Sequence, residues 1–86
     1  MDQGDYAGAI ARFRDALRFK PHYAEPCLLL GHAYEKSNDP RRAIVFYQKY
    51  LQILPHSAES KKVRRRIAAL HAKLTGPNRQ QHSRIH

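Results

Sequence analysis

Residues 21–56 read PHYAEPCLLLGHAYEKSNDPRRAIVFYQKYLQILPH, and the two ends of this stretch decide the fold. Pro21-His22 and Pro55-His56 repeat each other at a distance of 34 residues. The same offset pairs Ala9 with Ala43, Phe13 with Tyr47, Leu17 with Leu51, and Gly4 with Asn38. Apolar residues between the prolines recur at helical spacing. Alternating β-branched runs, which would announce strands, are absent, and Val occurs only at Val45 and Val63. A fixed period of this length marks stacked helix-turn-helix units.

The punctuation sets the helix boundaries. Gly4-Asp5 can cap a first helix over about residues 5–20, ended by Pro21. A second helix over about 24–37 stops at Ser37-Asn38-Asp39-Pro40. There Asp39 is a natural N-cap, and Pro40 suits the first turn of a third helix running to about 53. Pro55 ends that helix and Ser57 is expected to cap a fourth, which Thr75-Gly76-Pro77 terminates after Leu74. The polar run from Asn78 to His86 has no apolar period and reads as a flexible tail.

Within the central unit, Cys27-x2-Leu30-Gly31-x2-Tyr34, then Ala43-x3-Tyr47, then Pro55 succeed one another at set spacings. In order and spacing this resembles the tetratricopeptide repeat family. Each position has a physical task. Gly31 lets the two helices of a hairpin approach closely and Ala43 is the small residue facing it, while Tyr34 and Tyr47 fill the space around that contact. Pro55 turns the chain into the next unit. Two departures stand out: Cys27, where a large aromatic is usual, and Tyr50, where a small residue is usual. The resemblance implies an all-α fold of about four antiparallel helices in a right-handed superhelix.

The flanks resemble the family only in part. Ala9-x3-Phe13, Ala16 and Pro21 match the second helix of a preceding unit, whose first helix would precede Met1. Residues 58 onward carry Lys61, Arg64 and Arg65 where an aromatic, Leu and Gly belong. That segment instead shows an apolar stripe of Val63, Ile67, Leu70 and Leu74, as expected of a helix that closes a stack, apolar inside and charged outside. The expected organisation is a helical domain over 1–76, with a partial repeat at 5–20, a complete repeat at 24–55 and a capping helix at 57–75. A flexible basic tail is expected over 77–86.

A chain of 86 residues is one small domain and excludes a two-domain enzyme. With 42% hydrophobic and 27% charged residues it is too apolar for general disorder. No apolar run approaches a membrane span and the acidic start shows no leader; with a lone cysteine, Cys27, this favours the cytoplasm as an expectation. The 16 Lys and Arg against 7 Asp and Glu give a net charge of +9. Residues 1–55 account for only +2 of it, and residues 56–86 for +7. The excess charge therefore belongs to the closing helix and the tail beyond it.

The resemblance implies a protein-binding scaffold whose concave face is lined by the first helix of each unit. Here that face is expected at Glu25, Leu28, His32 and Glu35, continued by Lys62 and Arg66. Some members of the family grip a C-terminal carboxylate with Lys, Asn and Arg. Glu59 and Val63 stand where the last unit's Lys and Arg belong, so that grip is not expected.

The run Lys61, Lys62, Arg64, Arg65 and Arg66 is a basic patch suited to an anionic partner, or simply the solvated face of the closing helix. Without a base-reading motif, nucleic acid is disfavoured as a partner, and so is a membrane surface. Of the six His residues, His22 and His56 stand one repeat apart and not as a close pair, and His71, His82 and His86 lack acidic or thiolate companions, so no metal site or cofactor is expected, with His82 and His86 at most weak ligands. No nucleophile, base and orienting group converge, so no enzymatic activity is expected. Ala9, Phe13 and Ala16 would pack on the absent first helix, which leaves them to a second copy, to a longer array or to a partner's helix. The overall expectation is a non-catalytic adaptor or scaffold, with a homodimer among its partners. The alternatives are a basic nucleic-acid-binding accessory and a regulatory or targeting segment of a larger enzyme.

Overall fold

The computed structural model describes the backbone of residues 5–85 and the side chains of residues 6–75. It contains four helices: α1 Asp5–Phe19, α2 Ala24–Lys36, α3 Pro40–Ile53 and α4 Ser60–Ile85. There is no strand among the described residues. Successive helices pack in chain order, α1 on α2, α2 on α3 and α3 on α4. Gly4, the expected cap of α1, lies outside the described residues.

Local chemistry explains the α2–α3 corner. Asn38 adopts φ 67°, the left-handed conformation that Gly or Asn supplies at a helix end. The Asp39 N–H then bonds to Tyr34 O at 2.9 Å and the Asn38 N–H to Glu35 O at 3.1 Å, closing off the carbonyls of the last turn. Asp39 next caps α3, its Oδ1 accepting from the Arg42 N–H at 3.2 Å and its Oδ2 from Arg42 Nη1 at 2.8 Å. Pro40 opens α3, where its missing donor costs nothing.

The core runs through the α2–α3 hairpin. Leu30, Ala43 and Tyr47 are each 0% exposed, and Cys27, Tyr34, Ile44, Tyr50, Val63 and Leu70 are buried with them. A Cβ at Gly31 would clash with the Tyr47 ring, so the close approach of α2 and α3 requires glycine there. The stripe expected on α4 faces inward: Val63 and Leu70 are buried, and Ile67 and Leu74 are half-buried against the core. Cys27 fits its position as a small apolar group, with its thiol 3.6 Å from Tyr23 O.

The closing helix differs from expectation at both ends. It begins at Ser60, because Ser57 is drawn into a preceding turn instead of capping. The Ser57 N–H bonds to Ser60 Oγ at 2.9 Å and the Ser60 N–H to Ser57 O at 3.1 Å. At the other end α4 continues through Gly76-Pro77 to Ile85, where a flexible tail over 77–86 was expected. A proline inside a helix removes one rung of the backbone ladder, and the residues from Asn78 to Ile85 contain no second breaker.

Phe19 is 83% exposed, while Ile10 and Leu17 on the same helix pack against the core. Two residues past Leu17, a helical side chain is rotated by about 200° to the opposite face. Phe13 packs against the core with Ile10 and Leu17 instead of standing free.

Candidate functional site: the face shared by α2 and α4

Of the six positions expected on the concave face, the structure gathers three into one cluster. Glu35 on α2 pairs with Arg66 on α4, whose Nη2 meets Oε2 and whose Nε lies 3.3 Å from Oε1. Tyr47, buried on α3, sends its hydroxyl up between them to Glu35 Oε1 at 2.7 Å and to His32 Nδ1 at 2.8 Å. An ionised carboxylate only accepts, so Tyr47 donates to Glu35 and neutral His32 carries its proton on Nδ1, donating to the Tyr47 oxygen. That leaves Nε2 as the acceptor of the His32 ring. The His32 and Tyr47 rings meet edge to face at 5.5 Å between centroids.

The remaining positions stay apart from this cluster. Glu25 and Lys62 are exposed, and Leu28 is half-buried, packed against the core. His32, Glu35, Lys36 and Arg66 line an open depression of about 430 Å³ between α2 and α4.

Burial sets the electrostatics of the cluster. The Tyr47 hydroxyl is pushed up to about 12 because the phenolate would be cut off from water. Desolvation lowers the His32 pKa, and the Arg66 guanidinium lowers it further. Both effects favour the neutral ring. Burial also pushes the Cys27 thiol up, against a smaller opposing effect of Lys49, as befits a packing residue and not a nucleophile.

The basic patch divides into two kinds of residue. All five cations are exposed, but two are tied to the fold. Arg64 Nη2 donates to Pro55 O at 2.7 Å, and Arg66 is engaged by Glu35. Lys61, Lys62 and Arg65 remain on the surface of α4.

A second hollow, of about 330 Å³, lies on the α1 and α3 side, lined by Arg14, Leu17, Arg18, Pro21, Phe46 and Lys49. Among the described residues, no three His, Cys, Asp or Glu side chains cluster as metal ligands would. No helix there is long and apolar enough to cross a membrane. The weak candidates His82 and His86 lie outside the described side chains.

Sequence reasoning missed the hydroxyl chemistry. Tyr50 departs from the usual small residue, and its hydroxyl has a purpose: it reaches Ser57 Oγ at 2.7 Å. Ser57 Oγ lies 3.0 Å from Ser60 Oγ, and Ser60 donates to Leu54 O at 2.6 Å. One consistent orientation of protons runs from Tyr50 through Ser57 and Ser60 to the Leu54 carbonyl. It satisfies Ser60, which is only 1% exposed, and fixes the turn into α4. The available signal was that a buried tyrosine needs a partner for its hydroxyl.

The positions that carry the internal repeat are Cys27, Leu30, Gly31, Tyr34, Ala43, Tyr47 and Pro55. All but Pro55 are buried around the α2–α3 contact, and Pro55 lies in the turn beyond α3. A family model for the tetratricopeptide repeat matches residues 1–74. The chain belongs to the tetratricopeptide repeat family. Comparison with curated proteins gives no match. Membership in this family points to a protein–protein interaction module.

Proposed function

We propose that this tetratricopeptide repeat chain is an adaptor without catalytic chemistry, which grips an extended segment of a partner protein on the α2 and α4 face. The observation that carries this reading is the Tyr47–Glu35–Arg66 cluster. It joins α2, α3 and α4, holds the two groove-lining helices at a set separation and spends its charges internally. A groove built in advance loses less entropy on binding than one that must assemble. Leu28 and His32 offer an apolar and a polar contact beside it, with Glu25 and Lys62 at the margins. The internal engagement of Arg64 and Arg66 supports this reading over that of a nucleic-acid accessory, for which all five cations would be available.

Selection of peptides from a random library against the full chain tests the proposal. Enriched peptides are expected to lose about tenfold or more in affinity on Leu28→Glu and on Arg66→Ala, as contacts at the centre of an interface do. Peptides indifferent to both changes, in variants whose circular dichroism is unaltered, would overturn it.

A second reading rests on a separate observation. Ala43, Tyr47 and Tyr50 on α3 are 0%, 0% and 4% exposed. Their equivalents on α1, one repeat earlier, are Ala9, Phe13 and Ala16, and all three are only half-buried. The same packing surface is covered on α3 and partly open on α1, which supports self-association through α1.

A further inference from the structure

The outer face of α4 is where the internal repeat and the charge pattern disagree, and the disagreement specifies an occupant. On α2, Gly31 lies against Tyr47, so this side of the helix receives the second helix of the hairpin. The register carries over to α4, because Pro26 and its equivalent Ser60 are both buried. Thirty-four residues after Cys27, Gly31 and Tyr34 stand Lys61, Arg65 and Ala68, and all three are exposed. Ala69 and Ala72 extend the exposed surface by another turn. Small side chains there allow a helix backbone to come close. The cations at the start of the face require that helix to be acidic, since an apolar or basic one would bury them unpaired.

We propose that the outer face of α4, from Lys61 through Arg65 and Ala68 to Ala72, docks an acidic amphipathic helix of a partner protein in the place a second repeat helix would take. A second copy of this chain does not supply that helix. The described face of α1 offers Arg12, Arg14 and Arg18 against Asp15 alone, and Asp15 already lies 3.5 Å from Arg18. The solvent side of α3 presents Arg41, Arg42 and Lys49. Lys61 and Arg65 have no ion-pair partner among the described residues, whereas Arg66 does. This surface is separate from the α2 and α4 groove, so either proposal can fail without the other.

The test uses the full chain and a fluorescent peptide that copies residues 39–54 with Tyr47→Glu and Tyr50→Glu and with Arg41, Arg42 and Lys49 replaced by Gln. Anisotropy at physiological salt is expected to show saturable binding. The pair Lys61→Glu and Arg65→Glu should weaken it more than about tenfold, the size expected when like charges are forced together. Ala68→Trp keeps every charge but blocks close approach, and should weaken binding as much. Ala11→Gln, exposed on α1, should leave it unchanged. In the unaltered protein, amide shifts on adding peptide should centre on Ala68, Ala69 and Ala72. Equal affinity for a scrambled peptide of the same composition, or for single-stranded RNA of the same charge, would reduce the face to a general polyanion surface and overturn the proposal. So would indifference to Ala68→Trp in a folded variant, or no saturable binding at all.

Discussion

Two residues carry much of the specificity of this small core. Gly31 has no room for a methyl group, because the Tyr47 ring occupies the space and is held by hydrogen bonds at its far end. Replacing Gly31 by Ala gains about 1 kcal/mol of helix propensity. Overpacking against a ring that cannot swing away costs about 1–3 kcal/mol. Net destabilisation is therefore expected, and urea unfolding of Gly31→Ala should show a lower midpoint; a higher one would mean the ring relaxes freely. Tyr47 also predicts a pH dependence. Its pKa rises from the ordinary 10.0 to about 12 in the folded protein, so the native state holds that proton more tightly than the unfolded chain does. The resulting stability is complete below pH 10.0 and is lost as pH climbs towards about 12. In an absorbance titration, one of the five tyrosines should ionise late, and Tyr47→Phe should remove that phase. The position of Tyr47 was legible from the repeat spacing. Its partners were not, because His32 and Glu35 lie 15 and 12 residues away and meet it only once the hairpin closes.

The helices show how local chemistry and packing divide the work. The boundaries of α2 and α3 come from Ser37-Asn38-Asp39-Pro40, a run in which each residue meets a local backbone requirement. Asp39→Ala removes the acceptor for the Arg42 N–H and should cost about 1 kcal/mol in thermal or urea unfolding. A loss near zero would mean that water caps α3 equally well. The start of α4 was not legible in the same way. Ser57 has the right type and place for a cap, but Tyr50 and Ser60 compete for its hydroxyl and its N–H. A cap prediction weighs only neighbours in sequence, whereas Tyr50 reaches Ser57 across a turn. The far end of α4 teaches the complementary lesson. Gly76-Pro77 is a strong local stop, and the helix passes through it to Ile85.

At the scale of the molecule, the two ends of the stack are unlike. Among the described residues α1 packs on α2 and α4 on α3, with the α2–α3 hairpin covered on both sides; α1 carries half-buried Ala9, Phe13 and Ala16 where the outer face of α4 carries Lys61 and Arg65. Concentrated protein is expected to dimerise through α1, seen as a rising mass in sedimentation equilibrium up to millimolar concentration. Ala9→Glu with Ala16→Glu should abolish it without touching the core, a cleaner change than Phe13→Glu, because Phe13 packs against core residues. A strict monomer at millimolar concentration would end the idea. The charge is asymmetric as well, since +7 of the net +9 lies in residues 56–86. The amino-acid sequence by itself determined the 34-residue repeat, the helical class, the α2–α3 corner and the inward stripe of α4, because each depends on residues a few positions apart or on exact recurrence. Only the tertiary structure decided which polar groups meet: Tyr47 with His32 and Glu35, Arg66 with Glu35, Arg64 with Pro55, and Tyr50 with the Ser57–Ser60 turn. Those pairings depend on where helices far apart in the chain are brought to lie, and the direction of a hydroxyl or a guanidinium is settled only when packing has placed its partner.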